Sequence, residues 1–463
     1  MPLRPLAALL AGLPNTYVVG GTVRDILAGR TPADIDVATG LPPADVAGAV
    51  AKRTNGRLVV FTKPNAAVYR VVTPSHGLID VSAFYGQTLE ADLSHRDFTL
   101  NAMAMDPQTG EITDPLGGAK DLREGKLRQA STKAFVNDPA RLLRAFRLCA
   151  EFDLHLSPDT ESGIIKDAAR IVSIPGERIR QELLKLLNTP QASRYLGIMV
   201  KTGLLSHLIP QWHDLKGLPL FSHATLGADE LALGTVAALE LEMTSLSHQE
   251  IVVPPVAEPI PAGLVKLGTL LADIGRPAVR RLLSDGRWVD PGAVPLSRAT
   301  AARIMHRLRL SRRERFVVDT VIRTVQRPAA IIAAMNTGRL SPLSPTRLFM
   351  AAGTLAPMVL RVAAARHQTL FGRSRPHSPD QFRKEIRTLQ TQFLTQYCPR
   401  MRQPPLITGK DLMAALNLPP GPRVGQLMAI LRCHQLSGTI DTPEAALALA
   451  ARLSSQPIPH RNA

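Results

Sequence analysis

Asp34 and Asp36, in the stretch DIDVAT, stand one residue apart in a run with strand character. Residues i and i+2 of a strand point to the same face, so the two carboxylates project together. Carboxylates side by side repel unless a cation lies between them, and hard oxygen donors of this kind suit Mg²⁺, which is often held by one or two carboxylates together with substrate phosphates. Asp80, in GLIDVSAF, is placed on another strand, where it could complete a trio binding two metal ions. One ion would activate an attacking hydroxyl and the other would hold a triphosphate and its leaving pyrophosphate. An Asp-x-Asp pair alone carries little weight, but the double glycine upstream adds to it. In YVVGGTVRDIL, Gly20 and Gly21 end a strand and let a ligand approach the backbone. Thr22 can cap the helix that follows, whose N-terminus offers N–H groups to phosphate, and Arg24 adds a charged contact. With no G-x-G-x-x-G pattern here, the arrangement points to a nucleoside triphosphate and metal site and away from a dinucleotide fold.

A second constellation lies in NDPARLLRAFRLCAEF. Asp138 and Arg141 are spaced for one helical face, and Arg144 and Arg147 continue it. A carboxylate beside a guanidinium presents an acceptor next to donors. Cytosine offers its N4 amino group next to the N3 acceptor, and adenine offers N6 next to N1 in the same order. Uracil and guanine carry a carbonyl where the amino group would be. One protein pair can thus accept two bases and reject two without a nucleic-acid template; the bland alternative is a solvated Asp/Arg pair. Arg144 and Arg147 read either as phosphate or base contacts or as salt bridges within the helical region.

The elements that must position these residues are legible as patterns. Up to about residue 128, short apolar strand-like runs (TYVVGG, DIDVAT, RLVVFT, AVYRVVT, GLIDVSAF) alternate with helical ones, an α/β arrangement. Beyond it the periodicity is helical nearly to the end, so the fold class is α+β: an α/β head followed by all-α regions. VVPPVAEPIPAG at 252–263 reads as a surface loop, and FGRSRPHSPDQ at 371–381 as a joint between helical units.

The chain of 463 residues carries a formal charge of +17, and its location matters. Residues 1–128 hold 13 Lys/Arg against 13 Asp/Glu, residues 129–190 hold 9 against 8, and residues 191–463 hold 33 against 17. A neutral head joined to a basic arm suits a polyanion gripped along its length while one end is worked on; solvated basic faces are the alternative. RIMHRLRLSRRERF (303–316), RHQTLFGRSR (366–375), FRKEIR (382–387) and PRMR (399–402) supply the charge. An aromatic content of 4% disfavours stacking on single strands and favours a folded RNA recognised by shape. Cys149, Cys398 and Cys433 show no disulfide or zinc spacing. No apolar run of about 20 residues and no basic-then-apolar leader is apparent, so a soluble cytoplasmic protein with no membrane partner is expected.

VVGGTVRDILAGRTPADIDVAT resembles the first signature of the class II tRNA nucleotidyltransferases (CCA-adding enzymes) and bacterial poly(A) polymerases, members of the polymerase-β-like nucleotidyltransferase superfamily. HRDFTLNAMAMD (95–106), NDPARLLRAFRLCAEF (137–152), GERIRQELLKLL (176–187) and ITGKDLMAALNLPPGPRVGQLM (407–428) resemble later motifs of that family in the same order. The resemblance implies a catalytic head over 1–128, a helical neck with base recognition over 129–190, a helical RNA-binding body over 191–370 and a tRNA-binding helical tail over 371–463. It implies that Asp34 and Asp36 bind Mg²⁺ with Asp80 as third carboxylate. It also implies that Gly21, Arg24 and Arg96 contact the nucleotide, with Asp97 and Asn101 near the ribose; the alternative for Asp97 and Asn101 is to fix their loop as buried hydrogen-bonders. Asp138 and Arg141 match the family's base readers for CTP and ATP, and GERIRQELLKLL its neck motif, with no catalysis assigned to Glu177 or Arg178. GKDL with PPGPRVG could present N–H groups to a phosphate or simply connect helices.

The departures are as informative. CCA-adding members of the family carry an extended flexible segment, with an Arg-x-Pro stretch, between the third carboxylate's strand and the second motif. DVSAFYGQTLEADLSHRDF passes almost directly between them. In the family, loss of that segment is associated with adding C and C but not A, so CC addition to tRNA is the leading expectation. Complete CCA addition, A addition, poly(A) synthesis and a lapsed RNA-binding protein are the alternatives. Asn137 stands where Glu is usual, and His95 where the second motif has its first Arg. FSHATLGADELAL and LVKLGTLLADIGRPA resemble remnants of an HD phosphohydrolase. His223 and Asp273 survive, but Ala272 replaces the paired His, so a structural role without a metal is expected.

Overall fold

The structure is a computed structural model that describes residues 3–63, 66–220, 226–245, 260–372 and 379–454. The fold class is α+β, with an α/β head followed by helices. The chain divides into two compact units, Met1–Leu186 with Ile198–Leu208, and Leu187–Gly197 with Ile209–Ala463.

The first unit is built on a seven-stranded sheet: β1 (Thr16–Val19), β2 (Asp34–Thr39), β3 (Arg57–Lys63), β4 (Ala66–Thr73), β5 (Gly77–Ala83), β6 (Ala104–Met105) and β7 (Ile112–Thr113), in the order β3-β4-β5-β2-β1-β6-β7. Only β2 and β5 pair in parallel; the other neighbours are antiparallel. The alternation in DIDVAT does what strand geometry demands. Ile35 and Val37 enter a core with Val23, Val46, Val50, Val71, Ile79 and Val81, while Asp34 and Asp36 take the opposite face. The apolar cover of that core comes from α1 (Gly21–Leu27) and α2 (Pro43–Thr54), with Leu6 and Leu9 of the N-terminal helix Leu3–Leu9. The register sets Asp36 opposite Asp80 and Asp80 opposite Arg70, one row across three strands.

Between β5 and β6 lies α3 (Leu89–His95), capped by the Thr88 hydroxyl, which accepts from the Ala91 N–H at 3.2 Å. After β7 come α4 (Ala134–Asn137), α5 (Arg141–Phe152) and α6 (Gly176–Leu187). On α5 the apolar stripe Leu142, Leu143, Ala145, Phe146, Leu148 and Cys149 is buried, and Arg141, Arg144, Arg147 and Glu151 lie off it. The helix begins at Arg141, later than the periodicity suggests. Asp138 precedes Pro139, whose ring drives the residue before it out of the helical region, and Asp138 is extended at φ −147°, ψ 97°. Asp138 and Arg141 therefore do not share a helical face.

Among its described residues the second unit is helical apart from a short hairpin at Arg281–Leu282 and Trp288–Val289. Helix Ala228–Ser245 packs on Ala356–Phe371, and Ala262–Leu271 on Arg312–Thr324, where Gly268 has no room for a Cβ, which would stand 2.8 Å from Val321. Within it a buried Lys266 ammonium donates to Glu240 at 2.7 Å and to the Thr189 carbonyl at 2.6 Å. Asp273, 1% exposed, is held by Arg366 (2.6 Å) and Arg276 (2.7 Å), so its carboxylate serves a buried ion-pair network. His223 lies outside the described residues, as do most of the Pro-rich stretch at 252–263 and the middle of the joint at 371–381. The stretch Leu343–Phe371 is long and apolar enough to cross a membrane, but 67% of its apolar window is buried in the protein. The last three helices, Gly409–Leu416, Pro422–Ser437 and Pro443–Ser454, enclose their own core of Leu412, Leu427, Leu431, Ala446 and Ala450. Thr408 and Asp411 form a reciprocal cap on the first of them, while Asn417 ends it in the left-handed region.

Candidate active site

Asp34 is exposed, and Asp36 is half-buried behind it on the same face of β2. Thr22 does not cap α1. Its hydroxyl donates to the Asp34 carbonyl (3.2 Å) and accepts from the Asp36 N–H (2.8 Å), pinning the start of β2 to the segment after the double glycine. Gly20 has φ +66°, and a Cβ on it would come within 2.5 Å of the Arg96 Nη1 and 3.6 Å of the Asp36 carboxylate. A Cβ on Gly21 would stand 3.5 Å from Arg24 and 3.7 Å from Asp36. Gly20 is thus needed for its positive φ and the close approach of Arg96, whereas a Cβ at Gly21 would make only ordinary contacts, and the fold brings Gly20, Gly21, Arg24, Asp36 and Arg96 together.

The carboxylates on this face of β2 crowd one another. Burial, reinforced by the charges of Asp80 and Asp34, pushes the Asp36 carboxyl up to about 6, against the pull of Arg96 and Arg24. A carboxylate held at such cost beside a second one is a donor set that a hard divalent cation would relieve, so Asp34 and Asp36 fit one. Asp80 stands differently. Arg70 donates through Nε and Nη2 to its two oxygens, each at 2.7 Å, a bidentate pair. Among the described residues no three His, Cys, Asp or Glu side chains gather at metal-binding spacing, so the expected trio is not assembled as one cluster.

Arg96 is held by Asp92 on α3, which accepts from Nε (3.1 Å) and Nη2 (2.7 Å) and leaves Nη1 beside Gly20. Asp92 also accepts from the Tyr85 N–H (3.1 Å), and the Tyr85 ring stacks on His95 with centroids 3.7 Å apart. The short connection from β5 to Arg96 is therefore an ordered, capped element. Asp97 and Asn101 make hydrogen bonds that fix their loop. Asp97 is buried and accepts from the Phe98 N–H (2.8 Å), the Asn101 amide (3.0 Å) and Arg144 (3.1 Å). Burial works to raise its pKa, but Arg144 and the Asn101 amide outweigh it and hold the carboxyl below the usual range. Asn101 in turn accepts from Arg24 (2.8 Å), which also grips Asp25 (2.6 Å) and lies over the Phe152 ring.

Arg144 and Arg147 are committed to carboxylates. Arg144 donates to Asp97 and Glu182, and Arg147 to Glu182 (2.6 Å) and Glu151 (2.7 Å). Arg141 donates to the carbonyls of His95 (3.1 Å), Arg96 (3.2 Å) and Ala134 (3.5 Å), tying α5 to the end of α3. Of the five N–H donors of a guanidinium, two stay outside those contacts. Asp138 accepts from the Ala140 N–H (3.2 Å) and from Arg178 on α6 (2.8 Å). Sequence reasoning did not find Arg70, Asp92, Glu182 or the Asp138–Arg178 contact. Asp92 alone had a local signal, its i, i+4 spacing to Arg96.

Three families match the chain: "Poly A polymerase head domain" at residues 16–128, "Probable RNA and SrmB-binding site of polymerase A" at 153–216, and "tRNA nucleotidyltransferase domain 2 putative" at 294–451. A CC-adding tRNA nucleotidyltransferase of Synechocystis sp. is 30% identical over 95% of this chain and 94% of its own length. One of Geobacter sulfurreducens is 30% identical over 99% and 97%. An A-adding tRNA nucleotidyltransferase of Deinococcus radiodurans is also 30% identical, over 96% of each chain. Among solved structures, a Thermotoga maritima CCA-adding enzyme complexed with tRNA shares the fold, with a TM-score of 0.64 at 21% identity over 98% of this chain and 95% of that one.

Proposed function

The chain belongs to the class II tRNA nucleotidyltransferase family, and from that premise we propose that it adds cytidylates to the 3′ end of tRNA in the cytoplasm, building the CC of the CCA terminus without a template. The observation that carries the CC reading is the connection from Phe84 to His95. Where the family resemblance leads to an extended flexible segment in CCA-adding members, this chain has a capped helix pinned by Thr88, Asp92 and the Tyr85–His95 stack. Two full-length relatives named CC-adding support the same choice.

In the reaction, the 3′-oxygen of tRNA forms a bond to the α-phosphorus of CTP, and pyrophosphate leaves. Asp34 and Asp36 would hold a divalent cation, magnesium. When bound there it supplies Lewis acidity to the attacking hydroxyl and to the departing phosphates. Asp80 adds negative charge to the site through its position beside Asp36. The backbone at Gly20 and Gly21, with Arg24 and the Nη1 of Arg96, receives the triphosphate. Asp138 and Arg141 read the base: the carboxylate accepts from the cytosine N4 amino group, and the two uncommitted guanidinium N–H groups serve N3. Asp97, Asn101, Arg144 and Arg147 act by holding these groups in place, since their polar atoms are taken by one another and by Glu182 and Glu151.

The test is a gel assay with Mg²⁺ and three tRNA transcripts, ending at the discriminator base, at C and at CC, each given CTP, ATP or both. Addition of two C's that stops there, with no growth of the CC-ended transcript on ATP, is expected. Addition of A to that transcript overturns CC specificity in favour of A or CCA addition, the outcome to which the Deinococcus relative points. Retained tRNA binding with no incorporation would make the chain a binding protein.

A further inference from the structure

We propose that Arg178 is a positioning residue for base selection, clamping the Asp138 carboxylate in the orientation that reads the exocyclic amino group of the incoming base. The inference rests on the cytidylate-adding reading above and assigns that activity one more determinant.

Asp138 needs an external clamp because of where the sequence leaves it. Pro139 excludes it from α5, and although the Asp138 N–H donates to the Ala134 carbonyl (3.3 Å) and its carbonyl accepts from the Arg141 N–H (3.0 Å), these bonds fix the main chain and leave the orientation of the carboxylate to other groups. Its own segment supplies the carboxylate with one contact, the Ala140 N–H to Oδ1 at 3.2 Å, long for a bond to a carboxylate. The firm contact is Arg178 Nη2 to Oδ2 at 2.8 Å, from a residue 40 positions away. An ionised carboxylate accepts at about four lone-pair sites, so two recorded contacts leave capacity for an amino group. The Asp138 side chain is 26% exposed, so a ligand can reach it. Burial works to raise the Asp138 carboxyl, and Arg178 outweighs it, so the side chain is held as a pure acceptor that uracil's carbonyl cannot satisfy.

The clamp is delivered from a fixed support. Arg178 and Glu182 are four residues apart on α6 and so share a face. Glu182 accepts from Arg144 at 3.2 Å and Arg147 at 2.6 Å, fastening α6 to the polar face of α5. Arg178 thus reaches Asp138 from a helix anchored beside it, whereas an unsupported surface ion pair of this exposure would contribute little.

The test compares wild type with Arg178→Ala, Arg178→Gln and Arg178→Lys, each also made in an Asp138→Ala background. The tRNA ends at the discriminator base, and kcat and KM are measured for CTP and for UTP. Arg178→Ala is expected to raise KM for CTP more than it lowers kcat, and to cut the CTP-over-UTP ratio of kcat/KM about tenfold or more, the scale of one base contact. Arg178→Lys should recover most of the ratio. Without Asp138, changing Arg178 should move the ratio no further, because the two act as one unit. Should Arg178→Ala fail to fold, Arg178→Gln, which keeps the length but not the charge, carries the comparison. A ratio within about twofold of wild type, as for a dispensable surface pair, overturns the inference. So does an equal loss in the Asp138→Ala background. Wild-type enzyme that incorporates no cytidylate would sink the functional reading, and this inference with it; CC addition with an unmoved ratio would sink the inference alone.

Discussion

Asp36 is the residue on which the catalytic reading bears hardest, because its environment works against its own charge. Its folded-state value of about 6 lies above the ordinary 3.8. Its contribution to stability is therefore present below pH 4 and is lost as pH rises through 6, leaving a net cost at neutrality. Asp36→Asn removes that cost. In magnesium-free buffer at pH 7 the variant should melt at a higher temperature than wild type, by an amount corresponding to on the order of 2–3 kcal/mol. Incorporation of CTP should fall by about a hundredfold or more, since the cation it is proposed to hold would be worth several kcal/mol in the transition state. Calorimetry and the gel assay read the two effects separately, and lower stability together with lower activity would contradict the account. The Asp34/Asp36 pair was legible in the sequence because strand periodicity is a local property. The Arg70 partner of Asp80 was not, because it follows from the register of the β4–β5 hairpin.

Among the elements, α3 decides whether the short connection is rigid. Its start depends on Thr88, so Thr88→Ala should cost about 1 kcal/mol of capping energy, felt mainly within α3 itself. Hydrogen exchange should quicken for the amides from Ala91 to Arg96 and stay unchanged along α5. KM for CTP should rise, since Asp92 would hold Arg96 less firmly; unchanged exchange in α3 would count against the capping argument. The helical elements were well announced by their patterns, including the arginines of α5, but the reciprocal cap of Thr408 and Asp411 was not read from the sequence. Asp138 was misplaced by one local rule overriding another: periodicity put it on the helix, and Pro139 took it off. Its contact with Arg178 had no local signal at all, since it exists only once α6 has packed against α5.

Across the whole molecule, stability draws on buried charge as well as on apolar cores. Asp273 is enclosed with Arg366 and Arg276, which overcome burial and hold its carboxyl below the ordinary 3.8. The stabilisation it provides is fully present above about pH 4 and is lost as pH falls through the depressed value. Asp273→Asn should therefore lower the melting temperature at pH 7 and flatten its decline toward pH 3; parallel curves for wild type and variant would refute the network. In the first unit, Glu182, Arg144, Asp97, Asn101 and Arg24 form an unbroken polar chain from α6 to the double glycine, each member holding the next. The consequence is historical. A substitution at any one of these positions strands the partners on either side, so its effect depends on what the others already are. The pocket can then change only through concerted exchanges, and a relative's residue transplanted singly fails where the whole set would succeed.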